Sequence, residues 1–197
     1  MKARTYVKQK SFQIGKHFSD HVHGIIINPK PTIKRIIREG LVPQDSIVPF
    51  LVVICAAIMT AFGGAIWNIA LTSNIFVALG YTLKLFISFI VLPVWFVFAW
   101  VMWTAIFHFL GSIVSGKDIS NIDVMHRSLK LVGLSMVPFF FNIFPFAAFI
   151  TGYWVWVLCL WSMQENYEVS WKAALVITLP MLFIRVLFTL SAVGLLH

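Results

Sequence analysis

Three polar side chains lie inside long apolar stretches of the sequence: Arg185, His108 and Asn142. Ionisable groups inside membranes usually face the interior of a helix bundle or a watery cavity, and many serve an ion or a substrate. No Asp or Glu lies in an apolar stretch to pair with Arg185. The alternative is a structural role, in which Arg185 binds Asn142, the Val176 carbonyl freed by Pro180, or a lipid phosphate on the outer side.

Histidine accounts for two further candidate sites. His108 has the chemistry for a proton relay or a ligand, because imidazole titrates near neutral pH, or for a hydrogen bond to a neighbouring helix. His17, Asp20 and His21 are spaced i, i+3 and i+4, which places them on one helical face and is a spacing that can hold a transition metal. No Cys or second His cluster is present to complete the ligand shell of a metal. A solvent-exposed helix face or pH-dependent attachment to lipid is therefore favoured, and no metal is expected.

The sequence lacks the patterns of common catalytic sites. It holds no GxGxxG or GxxxxGK[ST] loop, no nucleophile–base pair and no pair of carboxylates at catalytic spacing. The many Trp and Phe residues are typical of membrane-interface belts and helix packing. We therefore expect neither enzyme activity nor a cofactor.

The composition predicts a membrane protein. The 197 residues are 60% hydrophobic and 11% charged, whereas soluble domains are about 45–50% apolar and about 25% charged. The stretch from Leu85 to Gly111 contains no charged residue, and about 20 apolar residues suffice to cross a bilayer core of about 30 Å. The fold class is therefore all-α, a polytopic transmembrane helix bundle. Cys55 and Cys159 lie in apolar stretches and are expected to be reduced thiols.

The apolar stretches predict five spans in a domain over residues 47–197, at about 47–71, 85–111, 124–143, 146–163 and 171–195. An additional span at about 74–93 would place Lys84 at its centre, at about 2.5–3.5 kcal/mol on insertion scales. Residues 72–84 are therefore expected to be an interfacial connection. Pro138 should kink the third span, and Pro145 should mark a very short turn before the fourth.

Small residues predict close helix packing in the first span. They recur every four residues in two rows, Ala57, Ala61, Ala65 and Ala56, Thr60, Gly64. Such rows let membrane helices approach one another closely.

The N-terminal region, residues 1–46, is polar and holds nine of the fifteen Lys and Arg residues. Its apolar residues recur at helical spacing, which predicts an amphipathic helix that lies on the membrane surface, followed by a second short helix with isoleucines on one face. Anionic lipid head groups are the expected partner of the basic face, Lys16, Lys34, Arg35 and Arg38. No basic globular domain is present to bind nucleic acid, and the N-terminus lacks the apolar core of a cleaved signal peptide.

The distribution of positive charge predicts the orientation. With five spans and the N-terminus inside, thirteen Lys and Arg residues flank the inner side and only Lys84 flanks the outer side. The positive-inside rule then places the N-terminus in the cytoplasm and the C-terminus on the opposite side.

Several motifs in their order resemble the Yip1 domain family of five-span membrane proteins. They are Asn28-Pro29 with TIKRIIREG, then WTAIFHFLGSIVSG, LKLVGLSMVPFFFNIFP and TGYWVWVLCLWSMQENYEVSWKAAL. The resemblance implies a cytoplasmic N-terminal region and a five-helix bundle. Eukaryotic members are associated with vesicle traffic and lipid-modified small GTPases. This chain lacks a DLYGP-like motif and is more similar to compact prokaryotic members, which implies a prokaryotic plasma membrane.

Two functions follow as hypotheses. The first is a non-enzymatic protein that organises the bilayer or binds a partner, with a homo-oligomer or another protein as candidate partners. The second is a small transporter or channel whose pathway is lined by Arg185 and the helices that Pro interrupts. A cavity that reaches Arg185 would favour the second.

Overall fold

The computed structural model describes residues 16, 18–39, 47–144 and 146–192, and within them it contains helices and no strand. The predicted all-α fold is therefore confirmed. The elements are α1 (residues 18–27), α2 (Pro29–Arg38), α3 (Ile47–Leu71), α4 (Ile75–Ser115), α5 (Ile122–Leu134), a 3-10 helix (Val137–Ile143), α6 (Ala147–Tyr167) and α7 (Trp171–Ala192). Within the described ranges, α3, α4, α6 and α7 are each long and apolar enough to cross a membrane.

Helix α3 has the bounds that the sequence predicts, but α4 corrects the prediction for residues 72–84. Only residues 72–74 are non-helical there. The Asn74 side chain caps α4 by accepting hydrogen bonds from the Phe76 and Val77 backbone N–H groups at 2.9 and 3.4 Å. An N-cap of this kind satisfies donors that a helix start leaves free. The apolar run then continues as one helix of 41 residues.

Helix α4 has two different halves. At 1.5 Å per residue it is about 62 Å long, roughly twice a bilayer core. Residues 75–99 contain no buried side chain, whereas residues 100–115 pack inside the bundle through Trp100, Trp103, Phe107 and others. The exposed apolar part of the helix therefore begins about ten residues earlier than the predicted second span, residues 85–111.

The predicted third span, residues 124–143, is not one helix. Helix α5 ends at Leu134, and the 3-10 helix begins at Val137. Pro138 lies in the first turn of the 3-10 helix and has no N–H to donate to the Leu134 carbonyl, so the α-helical ladder stops there. Residues 131–138 are all buried, which makes this broken segment the centre of the bundle.

Helices α6 and α7 form the other side of the bundle. Helix α6 runs to Tyr167, four residues past the predicted end of the fourth span, and stops at Glu168, whose φ is 56°. Helix α7 continues through Pro180.

The N-terminal helices pack on the protein through their apolar faces. Ile25, Ile33 and Ile36 belong to the main core and are at most 2% exposed. Lys34 Nζ lies 3.4 Å from Glu165 Oε1 of α6, one turn beyond the point where Lys30 lies over the Trp161 ring. The expected amphipathic helices exist, but their buried faces contact the bundle rather than lipid.

Candidate functional site

His108 lies in a buried chain of hydrogen bonds between α4, α5 and α6. Its Nε2 lies 2.8 Å from the Ile119 carbonyl oxygen, and its Nδ1 lies 2.8 Å from the Tyr167 hydroxyl. A carbonyl only accepts, so Nε2 carries the proton in the neutral ring and the Tyr167 hydroxyl donates to Nδ1. The chain continues through Ser128 Oγ, 3.1 Å from Tyr167 Oη, to the Asn166 side-chain N–H, which donates to Ser128 Oγ at 2.9 Å.

This chain, which we call the His108 network (His108, Ser128, Asn166 and Tyr167), joins helices that are distant in the sequence. The His108 network starts in α6 and ends at the loop after α4. Its four side chains are at most 5% exposed. Because its last acceptor is a backbone carbonyl, the arrangement ties the loop to the bundle. The buried Asn166 Oδ1 has no hydrogen-bond partner within the described residues. The hydrogen bonds that the network does make favour one packing arrangement of the three helices.

Two features beside the His108 network depend on its geometry. The Tyr167 ring lies over Gly111, where an added Cβ would be 2.5 Å from the ring. Lys117 Nζ donates to the Asn166 backbone carbonyl at 3.3 Å and to Glu168 Oε1 at 3.2 Å. In the same loop, hydrogen bonds from the Ser120 backbone and side chain lower the pKa of Asp118.

Asn142 joins three segments near the opposite end of the bundle. Its side-chain N–H donates to Thr60 Oγ1 of α3 at 3.0 Å, and its carbonyl oxygen accepts from Thr151 Oγ1 of α6 at 2.6 Å. Gly63 lets α3 approach so closely that an added methyl group would meet the Asn142 backbone carbonyl. Asn142 therefore fixes the end of the 3-10 helix between two spans.

Arg185 contacts the first turns of α6 rather than the expected Val176 carbonyl or Asn142. Its Nη2 donates to the carbonyls of Ala148 and Phe149, and its guanidinium lies 5.5 Å from the Tyr153 ring centre. Gly152 leaves room for the guanidinium, which an added Cβ would contact. The Arg185 Nε atom is buried and has no hydrogen-bond partner within the described residues.

A cavity of about 240 Å³ lies beside Arg185, between α4, the 3-10 helix, α6 and α7. Its inner wall includes Trp103 and Met136, which are 8% and 4% exposed. Its rim includes Trp95 and Phe188, which are 58% and 68% exposed on the apolar outside of the bundle. We call this space the Arg185 cavity. It opens toward this exposed apolar outside of the bundle.

Three of the four predicted head-group residues come together on α2. A cleft of about 370 Å³ is lined by three cations, one carboxylate and a proline: Lys34, Arg35, Arg38, Glu39 and Pro31. We call it the basic cleft. Lys16 is exposed in the same N-terminal region.

The candidate metal triad is only partly within the described residues, because His17 lies outside them. Asp20 is exposed, and His21 is buried with its Nε2 3.8 Å from Glu39 Oε2. Across the part of the chain that the structure describes, no three His, Cys, Asp or Glu side chains are grouped to hold a metal.

Sequence reasoning missed the partners of each candidate. Ser128, Asn166 and Tyr167 are 20 or more residues from His108, and no local pattern links them. Gly152 is a similar case, because a glycine within an apolar helix does not indicate which side chain will lie over it.

A model of the Yip1 domain matches residues 24–193. Comparisons with curated proteins and with solved structures gave no significant match. The match covers every described helix from α2 to α7, and with four apolar helices long enough to cross a membrane it indicates an integral membrane protein. The chain belongs to the Yip1 domain family.

Proposed function

We propose that this protein is a non-enzymatic membrane organiser that holds anionic lipid head groups in the basic cleft. The observation that carries the proposal is the grouping of Lys34, Arg35 and Arg38 around one open space. Arg35 Nε lies 3.5 Å from Glu39 Oε1 and Lys34 Nζ lies 3.4 Å from Glu165 Oε1, so these three cations outnumber the two neighbouring carboxylates by one. Arginine is suited to this task, because its planar donors match phosphate oxygens in pairs. Basic groups beside a membrane each add about 1 kcal/mol of attraction to an anionic surface.

The basic cleft is held in place by the opposite face of α2. Ile33 and Ile36 are 0% and 2% exposed in the core, and the Lys34–Glu165 pair joins α2 to α6. A helix fixed in this way presents its cations without further ordering, which favours binding.

The junction of α1 and α2 supports contact with the bilayer interface. Ile26 and Ile27 are 40% and 66% exposed there, although neighbouring isoleucines are buried. Lys30 lies 4.9 Å from the Trp161 ring centre at the same level of α6. Exposed isoleucines beside a Trp and a Lys are typical of a segment at the head-group boundary.

We propose five crossings, with the N-terminus cytoplasmic in a prokaryotic plasma membrane. The third crossing is α5 with the 3-10 helix, whose 13 and 7 residues give about 34 Å at 1.5 and 2.0 Å per residue. The excess of Lys and Arg beside the α2 end of the bundle supports this orientation. Reporter fusions at the two termini test it, and termini on the same side would contradict it.

The lipid proposal is tested with two matched double variants of the full chain. Arg35→Gln with Arg38→Gln removes two charges from the basic cleft, and Arg127→Gln with Lys172→Gln removes two elsewhere. Thermal unfolding of each purified protein is followed in detergent while phosphatidylglycerol or phosphatidylcholine is added, since a ligand of the folded state raises Tm.

We expect phosphatidylglycerol to bind the cleft variant roughly 30-fold more weakly, from about 1 kcal/mol per charge. The control variant should bind nearly as the original chain does. Equal weakening in both variants would show a general charge effect and contradict a site on α2.

Transport is the second candidate function, and the Arg185 cavity is the observation that favours it. The inner wall of the cavity, at Trp103 and Met136, is apolar and buried. A continuous pathway would require these side chains to move. A flux assay on the reconstituted chain, with Arg185→Leu as its comparison, separates the two functions.

A further inference from the structure

We infer that the Arg185 cavity binds a membrane amphiphile with one acyl chain and an anionic head, a carboxylate or a phosphate monoester. The inference concerns the opposite end of the bundle from the basic cleft, so it goes beyond the proposed function. It rests on the charge of the guanidinium, its free donor and the direction in which the cavity opens.

The charge of Arg185 has no carboxylate beside it. All seven Asp and Glu residues of the chain are at positions 20, 39, 45, 118, 123, 165 and 168. The described ion pairs all lie at the α2 end of the bundle or in the loop after α4. A cation inside a membrane protein is costly unless an anion or dipoles compensate it. An anionic head would supply that compensation.

The guanidinium is positioned to bind such a head. Two carbonyls of α6 hold Nη2, and the bare backbone of Gly152 supports the plane of the group. The buried Nε remains without a partner among the described residues. Arg185 is therefore held in one orientation while retaining donors, and carboxylate and phosphate oxygens accept from Arg donors in pairs.

The direction of opening identifies the rest of the ligand. The rim residues Trp95, Ile184 and Phe188 are exposed on the lipid-facing side, while Trp103 and Met136 close the inner end. A ligand that enters from this side comes from the bilayer, so it carries an apolar chain. About 240 Å³ is below the usual 300–1,000 Å³ of drug-sized sites, which fits one chain segment inside the cavity and leaves no room there for a second.

Quenching of tryptophan fluorescence by brominated stearate provides the test, because Trp95 and Trp103 line the cavity. Brominated stearyl alcohol has the same chain without the charge and reports partition into detergent. Acetate and inorganic phosphate, which compete for the head position only, distinguish a soluble anion from an amphiphile. We expect saturable quenching by the stearate alone, with no competition from either soluble anion.

Variants of the full chain assign the signal to this place. Arg185→Met should weaken stearate binding by about tenfold or more, since hydrogen bonds to charged groups are the stronger ones. Ala99→Phe fills the cavity and leaves Arg185 in place, so it should abolish saturation even if Arg185→Met does not fold. Ala78→Phe, on α4 outside the cavity, should bind as the original chain does.

Three results would overturn the inference: equal saturable quenching by the alcohol, displacement by acetate or phosphate, or unchanged stearate binding in Ala99→Phe. None of them affects the basic cleft, whose test uses other residues and other lipids. Loss of phosphatidylglycerol binding in the cleft variant would likewise leave this inference unchanged.

Discussion

Tyr167→Phe should destabilise the bundle through the loss of a single oxygen atom. The ring that lies on Gly111 remains, but His108 Nδ1 loses the donor 2.8 Å away. The Ser128 hydroxyl still accepts from Asn166 at 2.9 Å, but its O–H loses the Tyr167 acceptor at 3.1 Å. Both partners are buried, at 5% and 0% exposure. A buried polar group left unpaired costs about 1–3 kcal/mol. For the two groups together we expect a loss of about 2–4 kcal/mol in the free energy of unfolding.

The measurement is thermal unfolding of the purified full chain in detergent. For a chain of this size each kcal/mol shifts Tm by about 2–4 °C, so the expected fall is between roughly 4 and 16 °C. Tyr81→Phe is the matched control, because no hydrogen bond holds the Tyr81 hydroxyl within the described part of the chain. Its effect should stay within about 0.5 kcal/mol.

A double-mutant cycle with Ser128→Ala separates the hydrogen bonds from general packing. If the hydroxyls act together, Ser128→Ala will cost less in the Tyr167→Phe background than alone. Additive effects, or a Tm of Tyr167→Phe equal to that of Tyr81→Phe, would refute the structural role of the His108 network.

Two further predictions concern helix packing. Gly63→Ala should lower the free energy of unfolding, because the new methyl group meets the Asn142 backbone carbonyl. Gly64→Ala is the control, since nothing lies within 4 Å of its methyl group and its effect should be near neutral. Thermal unfolding compares the two variants, and equal Tm values would contradict the close approach of α3 to Asn142. Ile33→Ala should cost about 2–5 kcal/mol, as its side chain is 0% exposed, whereas Ile27→Ala at 66% exposure should cost far less. Protease sensitivity of the N-terminal helices measures this, and similar cleavage of both variants would argue against docking of α2.

The course of α4 illustrates a limit of span prediction. The cost of inserting Lys84 argues against a span through residues 72–84. That argument treats each bilayer crossing as an isolated helix. In the structure the helix simply starts earlier, and Lys84 lies in an exposed stretch of a helix longer than the bilayer core. Hydropathy does not show where a helix of 41 residues begins and ends when its whole length is apolar.

The rows of small residues in α3 predict which face of the helix is buried, but not which residue makes the closest contact with the neighbouring segment. Ala57, Ala61 and Ala65 are buried as the spacing predicts. The closest approach, however, is at Gly63, which belongs to neither predicted row, while Gly64 faces open space. The spacing of small residues shows that a helix can be approached, and the partner decides at which residue.

The sequence alone determined that the chain is helical, apolar enough for a membrane, and polar at its N-terminal end, because these properties are sums over local composition and periodicity. Tertiary structure decided the partners of the isolated polar residues. Tyr167 binds His108, Thr60 and Thr151 bind Asn142, and the first carbonyls of α6 bind Arg185. Each pair joins residues distant in the sequence, and a hydrogen bond acts over about 3 Å of space whatever the separation along the chain.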